Sequence, residues 1–434
     1  MDLILAQDTA EKATPKHVNQ TAAEKAFHGW RVVFVSAIAN AVSMGLGTLN
    51  LGLFIQPMES DLNISRTTFG LAGSFRQVAG AFSSPFIGSL IDKHGVRFLL
   101  PVATIIGCAC IAGVAFISEG WHLLVLFAIV GLVGLIGPGQ LLTTVPVTKW
   151  FVVLRPRAIA LMSLGIPLGA LIFMPLTQTL IDDIGWRQTW LVLAVIGVVV
   201  ICPLTLIWMR REPEDHDQQP DGGIADENAL HQNQQEALWT LAAARRQPVF
   251  WQLAFTMGMV AFALSTVALH RLPEFIDKGI DPMYVGLAIA WDAVLAGVAT
   301  YFIGSVGHRL SVRTIGLYGF SLLGVGVVLT IFVTGLPSLL LAMTVWGVGV
   351  GAMMYVSNIV WAEYFGREHV GAIRGFVTPI TLLLGASGAP IAGYIFDQSG
   401  SYDVVWWGSA ALMFVSGVLI RFAKPPTLPS ARLT

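Results

Sequence analysis

Charged residues are scarce in this sequence, at 12% of 434 residues, whereas a soluble domain carries about 25%. The formal net charge of -1 gives no basic field that would attract nucleic acid. The three cysteines, Cys108, Cys110 and Cys202, all lie inside apolar runs, which excludes a disulfide scaffold and a thiolate zinc site. The first 29 residues lack the uninterrupted apolar run of a cleaved signal peptide. With 55% hydrophobic residues, the sequence predicts a protein that crosses a membrane several times.

Twelve apolar runs are each long enough for a membrane-spanning helix, which needs about 20 residues. The runs are 30–54, 67–91, 98–118, 121–147, 158–181, 188–209, 249–271, 283–305, 314–333, 336–362, 373–396 and 404–422. They lack the alternation over ~10 residues that membrane barrel strands require. We therefore predict an all-α membrane protein with twelve transmembrane helices.

The distribution of Lys and Arg predicts the orientation of the chain, because cytoplasmic loops carry an excess of both residues. An even number of spans puts both termini on one side, and most of the 25 Lys and Arg residues lie on that side. The opposite loops hold only Arg66, Arg187, Arg271 and Lys278, and Arg76 lies inside a span. Both termini are therefore predicted to be cytoplasmic.

The longest stretch outside the predicted spans, 210–248, divides them six and six and is polar and rich in Gln. Such a composition predicts a linker that does not fold alone. Its last residues are expected either to form a short helix on the membrane, with Trp239 and Leu241 toward lipid, or to remain flexible. The predicted domains are a tail 1–29, a first bundle 30–209, the linker 210–248, a second bundle 249–422 and a tail 423–434.

The two sets of six spans resemble each other, which indicates an internal repeat. Matches recur at offsets of 214, 215 and 216 residues and respect the division into six and six. The matched residues are Gly70 with Gly286, Gly88 with Gly304, Lys93 with Arg309, Arg97 with Arg313, Trp150–Phe151 with Tyr364–Phe365, Ala158–Ile159 with Ala372–Ile373, Asp182 with Asp397 and Gly185 with Gly400. Parallel repeats about an axis normal to the membrane are a transporter architecture, with the substrate site between the halves near the midplane.

The loop after the second span, Gly88–Arg97, resembles the signature loop of the major facilitator superfamily, and Gly304–Arg313 resembles a degenerate second copy. Within that superfamily, His28–Trp30, Lys149–Phe151 and Arg155–Ala158 resemble the bacterial branch related to monocarboxylate and oxalate–formate transporters. The resemblance extends over the whole chain. It implies two pseudo-symmetric six-helix bundles that move a small organic anion, specifically a monocarboxylate, by alternating access.

Arg76 and Asp292 are the main candidates for the chemistry of transport. Each lies well inside a predicted span, where a charge costs about 2.5–3.5 kcal/mol unless it has water or a partner. We predict that Arg76, the only arginine inside a predicted span, receives an anionic substrate and that Asp292 carries a proton. The alternative is a structural ion pair that locks the two halves. Monocarboxylate carriers commonly have an arginine in the eighth span, four residues after an Asp; here residue 296 is Ala.

The resemblance implies that the first, fourth, seventh and tenth spans line the cavity. The first span has small and polar residues on one helix face: Ser36, Asn40, Ser43, Gly47 and Asn50. This face favours a wet cavity or, alternatively, close helix packing. The remaining hydrogen-bonding candidates for the substrate are Gln140, Tyr355 and Asn358. His270, near the outer end of the seventh span, is a candidate for proton coupling or for anchoring at the membrane interface.

The signature loop is a candidate gate, and its residues are Gly88, Asp92, Lys93, Gly95 and Arg97. By the resemblance, Asp92 faces the amino-terminal end of the eleventh helix, near Arg374, where the helix dipole attracts a carboxylate. Lys93 and Arg97 also fit the positive-inside rule without any gating role.

No Walker loop, His-Glu-x-x-His sequence or nucleophile elbow occurs in the chain. We therefore expect no enzyme, no ATP-driven transport, no cofactor and no metal. The first hypothesis is uptake of a small organic anion together with protons. The second is efflux or exchange of a drug-like or metabolite substrate, although Gly165–Gly169 departs from the usual fifth-span signature of such carriers. A transporter-like receptor is the third. The expected partners are the anion, protons and the lipid bilayer, without nucleic acid, for a functional monomer in the cell inner membrane.

Overall fold

The structure is a computed structural model. It describes residues 27–134, 141–151, 154–213, 218–219, 239–306, 310–366 and 370–426. All the regular secondary structure in these ranges is helical. Helices suit a chain this apolar, because a helix satisfies its backbone hydrogen bonds within the segment and needs no water.

Eight of the described α-helices lie before residue 210: α1 Gly29–Gly45, α2 Thr48–Leu62, α3 Arg66–His94, α4 Val96–Val114, α5 Gly120–Val133, α6 Leu141–Trp150, α7 Arg155–Ser163 and α8 Gly165–Trp208. Seven more lie after residue 240: α9 Leu241–Arg245, α10 Pro248–Asp277, α11 Pro282–Val306, α12 Val312–Ile331, α13 Leu336–Phe365, α14 Val370–Ser399 and α15 Asp403–Phe422. We call the helices α1 to α8 the first half and the helices α9 to α15 the second half.

Some predicted spans are divided and others are joined. The first span is divided between α1 and α2, because the backbone leaves the helix at Leu46 and Gly47. The fifth and sixth spans run together in α8, where Gly185 has φ 81°, in the left-handed region that favours glycine. Among the described residues, nine helical stretches are long and apolar enough to cross a membrane, and one of them, 157–208, contains Gly185. The count of twelve spans stays a prediction.

Each half has its own buried apolar core. One cluster consists almost entirely of residues before 210, and a second consists of residues after 238. The halves meet where α3 packs on α14, α8 on α11 and α2 on α10. Gly70 of α3 lies against Ala389 of α14, and Gly286 of α11 lies against Met174 of α8. Offsets of 216 and 215 residues relate these two contacts, so the two interfaces are copies of one arrangement.

The end of the linker packs on the second half. Trp239 is buried, and its ring meets that of Phe365 edge to face at 5.7 Å between centroids. The guanidinium of Arg245 lies 4.5 Å from the ring centroid of Phe376. The hypothesis that Trp239 faces lipid is wrong, because an aromatic cluster of the protein accommodates the ring.

Candidate functional site

A buried ion pair joins α10 and α11. Nη2 of Arg271 lies 2.5 Å from Oδ2 of Asp292, and the two residues are only 2% and 6% exposed. The seventh predicted span ended at residue 271, but α10 continues to Asp277 and places Arg271 inside the helix. Asp292 lies about 15 Å along α11 from its first residue, at a rise of about 1.5 Å per residue.

The helix α13 completes the surroundings of this pair. Nη1 of Arg271 lies 3.6 Å from Sδ of Met343, and the guanidinium carbon lies 5.3 Å from the ring centroid of Trp346. A Cβ added to Gly347 would lie 2.5 Å from the carbonyl oxygen of Asp292, so only glycine allows this approach. Nε of Arg271 has no hydrogen-bond partner among the described residues. The guanidinium can therefore accommodate another acceptor, such as a carboxylate, in a planar two-point contact.

Arg76 occupies the same position in the first half. A Cβ added to Gly131 of α5 would collide with the carbonyl oxygen of Arg76, just as Gly347 abuts the carbonyl of Asp292. Both pairs of residues are related by the 216-residue offset. Arg76 is 8% exposed. The prediction that it is the only buried arginine is wrong, since Arg66 and Arg271 are buried as well. Asp292 forms its ion pair with Arg271 and not with Arg76.

The polar face of the first span lies largely in contacts between helices of the first half. Nδ2 of Asn40 donates to the carbonyl oxygen of Met162 at 3.4 Å. Nδ2 of Asn50 donates to the carbonyl oxygen of Gly45 at 2.6 Å and to Oγ1 of Thr177 at 2.9 Å. These contacts favour the helix-packing interpretation of this face over a wet cavity.

His270 is completely buried and lies at hydrogen-bond distance from two groups of the second half. Its Nε2 lies 2.8 Å from the carbonyl oxygen of Ala389, and its Nδ1 lies 2.8 Å from the hydroxyl of Tyr402. Because a carbonyl only accepts, Nε2 carries the proton in the neutral ring and Nδ1 accepts from Tyr402. The burial of His270 does not fit a residue anchored at the membrane interface.

The remaining cavity candidates are less closely held. Tyr355 is half-buried near Gly304, and the exposed Asn358 lies with Oδ1 3.5 Å from Nη2 of Arg374. Gln140 lies outside the described residues. The structure therefore brings Asn358 and Arg374 together and leaves Tyr355 one turn away on α13.

The sequence model of the Major Facilitator Superfamily matches residues 32–277 and 271–433. The chain belongs to the major facilitator superfamily. It is 23% identical over 419 residues to Monocarboxylate transporter 13 of Bos taurus, which covers 94% of this chain and 93% of that protein. It is 22% identical over 385 residues to the Hexuronate transporter of Bacillus subtilis, with 85% and 88% covered. A crystal structure of a bacterial homologue of the human lysosomal transporter Spinster has the same fold, with a TM-score of 0.64 and 14% identity over 92% of this chain and 96% of that one.

Membership confirms the predicted all-helical transporter fold in a membrane and confirms that the chain is not an enzyme. The signature loop of the superfamily follows α3. Gly95 ends that helix with φ 70°, which favours glycine, and Nε of Arg97 donates to the carbonyl oxygen of Leu206 at 3.0 Å. Lys93 is exposed, and a Cβ added to Gly88 would meet no atom within 4 Å. The side chain of Asp92 lies outside the described part of the structure.

Sequence reasoning missed Arg271 as a site residue. Pro273 follows two residues later, and a proline commonly marks the end of a helix. Here α10 continues through Pro273 to Asp277. The signal that could have identified Arg271 is the absence of an arginine after Asp292 in the eighth span, which leaves that carboxylate in need of a cation from a neighbouring helix.

Proposed function

We propose that this major facilitator transporter moves a small organic anion together with a proton, and that the Arg271–Asp292 pair couples the two. The observation that carries the proposal is the burial of this pair beside a donor, Nε of Arg271, that has no hydrogen-bond partner in the described residues. A buried charge pair gives little net stability compared with apolar packing. A functional role explains its presence better than a structural one.

The proposed coupling is a competition for one guanidinium. A substrate carboxylate binds Arg271 and displaces the carboxylate of Asp292. Asp292, now without its counter-charge in a buried site, binds a proton because burial disfavours an unpaired charge. The loaded site is then neutral overall apart from Arg271 and the bound anion, which pair with each other. Release of the anion lets Asp292 return to Arg271 and lose the proton.

Arg76 is the proposed second contact for the anion, from the first half. Its position is the repeat equivalent of Asp292, so a cation in one half and a titratable carboxylate in the other occupy corresponding sites. A substrate that touches both halves favours the closure of the halves around it. Asn358, Tyr355, Gln140 and Asn40 remain proposed polar contacts, and His270 remains a proposed proton group.

The names of the relatives support an acidic substrate. They specify monocarboxylates and hexuronates, and both are carboxylic acids. The orientation with cytoplasmic termini in the cell inner membrane, and a functional monomer, remain part of the proposal. Moving Arg271 from a loop into α10 leaves still fewer basic residues in the loops opposite the termini, which supports this orientation.

Transport by purified protein in proteoliposomes tests the proposal. An imposed proton gradient should drive accumulation of a labelled monocarboxylate, and Asp292→Asn should abolish accumulation while retaining exchange of labelled for unlabelled substrate. Asp403→Asn, which changes an exposed acid at the start of α15, is the matched control and should behave like wild type. Accumulation driven by the proton gradient in Asp292→Asn would contradict the coupling role. Exchange without any gradient-driven accumulation in wild type would favour an exchanger.

A further inference from the structure

A cluster of charged side chains joins the two halves at the end of the molecule where α2 and α10 end and α3 begins. Arg66, only 3% exposed, lies at its centre. Its Nε lies 3.1 Å from Oε2 of Glu59, and its Nη1 lies 2.7 Å from Oδ2 of Asp277 in the second half. The guanidinium carbon lies 3.9 Å from the ring centroid of Phe396. We call the contacts of Arg66 with Glu59 and Asp277, together with those of Asp397 below, the latch.

Asp397, at the end of α14, caps the first turn of α3. Its two carboxylate oxygens accept the backbone N–H groups of Arg66 and Thr67, each at 3.1 Å, and one of them also accepts the hydroxyl of Thr67. The first N–H groups of a helix have no partner within it, and the helix dipole favours a negative charge there. A carboxylate of the second half thus binds the helix terminus of the first.

The backbones of α3 and α14 meet beside the latch and separate away from it. A Cβ added to Gly393 would lie 2.6 Å from the backbone nitrogen of Thr67, and one added to Gly70 would lie 2.6 Å from the backbone of Ala389. Toward the other ends of the same helices, a Cβ on Gly88 or on Gly375 would meet no atom within 4 Å. The two helices are therefore closed at the latch end and open at the other.

The repeat has no equivalent latch at its second interface. Asp182, which corresponds to Asp397, accepts from Nε2 of Gln178 of its own helix at 2.8 Å. The residue that corresponds to Arg66 is Pro282, which has no N–H group to donate. The first turn of α11 is instead served by Asp281, which accepts from the N–H of Met283 at 2.8 Å. Polar closure at this end therefore rests on the contact between α3 and α14.

We propose that Arg66 and Asp397 form a one-sided latch that holds this end closed and must open in each transport cycle, and that His270 links the latch to the Arg271–Asp292 pair. The proposal goes beyond substrate binding, because it assigns the gate at the end opposite the signature loop. With cytoplasmic termini, the latch end is the outer end.

The link runs through two neighbouring residues of α10. Arg271 contacts Asp292, whereas His270 contacts the hydroxyl of Tyr402. That hydroxyl donates to Nδ1 of His270 and accepts from Nη1 of Arg66 at 3.5 Å. A movement of α10 that follows the exchange of partners at Arg271 therefore displaces His270 and Tyr402, and with them a contact of Arg66.

Distances between spin labels test the latch without any substrate. In a background with Cys108, Cys110 and Cys202 changed to Ala, one labelled pair is Ser60→Cys with Gln398→Cys, which are exposed positions in different halves at the latch end. The second pair is His94→Cys with Arg421→Cys, which are exposed positions in different halves toward the other end. Wild type should give one short distance for the first pair.

Asp397→Asn should raise the ratio of open to closed molecules at the latch end by roughly tenfold or more, since a hydrogen bond to a charged group contributes about 1.5–3 kcal/mol. The first pair should then lengthen and the second should shorten, which an unfolded protein would not show. Thr67→Val, which removes one hydroxyl, should have a smaller effect in the same direction. It also keeps the test valid if Asp397→Asn fails to fold.

Asp182→Asn is the matched control, because it changes the repeat-equivalent acid, and it should leave both distances unchanged. Equal shifts in Asp182→Asn and Asp397→Asn, or no shift in Asp397→Asn and Thr67→Val, would overturn the one-sided latch. The link through His270 is tested by Tyr402→Phe combined with Asp292→Asn. Asp292→Asn alone should shift the latch distances, and Tyr402→Phe should reduce that shift. An undiminished shift would refute the link and leave the latch itself standing. These distances are independent of transport, so the latch can fail while the proposed anion and proton coupling holds, and the reverse.

Discussion

Replacing Arg271 by Met leaves the carboxylate of Asp292 buried without the cation that the structure provides, and replacing Asp292 by Asn does the same to the guanidinium. Removing one partner of a buried ion pair costs about 3–5 kcal/mol, whereas replacing both by groups of similar size is often neutral. We therefore expect each single variant to be destabilised and the double variant Arg271→Met with Asp292→Asn to recover most of the loss.

The size of the effect on the melting temperature follows from the scale of the second half. A domain of 150–250 residues loses about 2–4 °C for each kcal/mol of destabilisation. A cost of about 3 kcal/mol then lowers the melting temperature of Arg271→Met by about 6 °C or more at neutral pH. The loss should diminish as pH falls, because Asp292 can bind a proton and lose its charge. Asp292→Asn should show no such dependence, since a guanidinium stays charged throughout.

Thermal unfolding of detergent-solubilised protein between pH 5 and pH 8, followed by tryptophan fluorescence, measures these differences. Trp346, which lies over the guanidinium of Arg271, makes the fluorescence sensitive to this site. Glu274 and Lys278 form an ion pair one turn further along the same helix, and Glu274→Gln serves as the comparison. A double variant less stable than both single variants, or a loss in Arg271→Met that grows as pH falls, would refute the argument.

Three further predictions follow from the other charged groups. Arg76→Lys should weaken binding of the anion at least tenfold in a thermal-shift titration, because lysine offers a point charge and not a planar fork; wild-type affinity in this variant would exclude the two-point contact. Asp92→Asn should raise the reactivity of cysteines placed at the cytoplasmic side, since it removes the charge expected to hold the signature loop closed, and lost binding with unchanged reactivity would argue for a substrate role. The hydrogen bond from Lys149 lowers the pKa of Glu212, so its contribution to stability should be present at neutral pH and lost as pH falls below about 4.3 and through the lowered pKa of the folded protein. The melting temperature of Glu212→Gln, compared with wild type across that range, should approach that of wild type at the acid end.

The helices were largely predictable because lipid imposes one requirement on a spanning segment, an apolar run of sufficient length. The breaks were less so: the bend at Leu46 and Gly47 inside the first predicted span has no proline or charge to mark it. The end of the seventh span was misplaced for the opposite reason. Pro273 is a stop signal by local rules, but the neighbouring helices allow α10 to continue.

The pairing of charges was beyond a single sequence. Arg66 looked like a loop residue at the edge of a span, and its partner Asp277 lies 211 residues away. Apolar periodicity shows which face of a helix is buried and not which helix it meets. The repeat supplied the only long-range information, since it related Asp182 to Asp397 and thereby singled out the acid that caps α3.

The repeat also explains how one fold can handle an anion and a proton at corresponding sites. The contact of Gly131 with the carbonyl of Arg76 and the contact of Gly347 with the carbonyl of Asp292 are copies of one backbone arrangement. Because the backbone fixes where each side chain starts, the duplicated fold presents one polar position in each half. In one half this position holds a permanent cation, and in the other it holds a group that can be charged or neutral. An anion attracted to the arginines then changes the charge that Asp292 can sustain, and the coupling of anion to proton requires no further group.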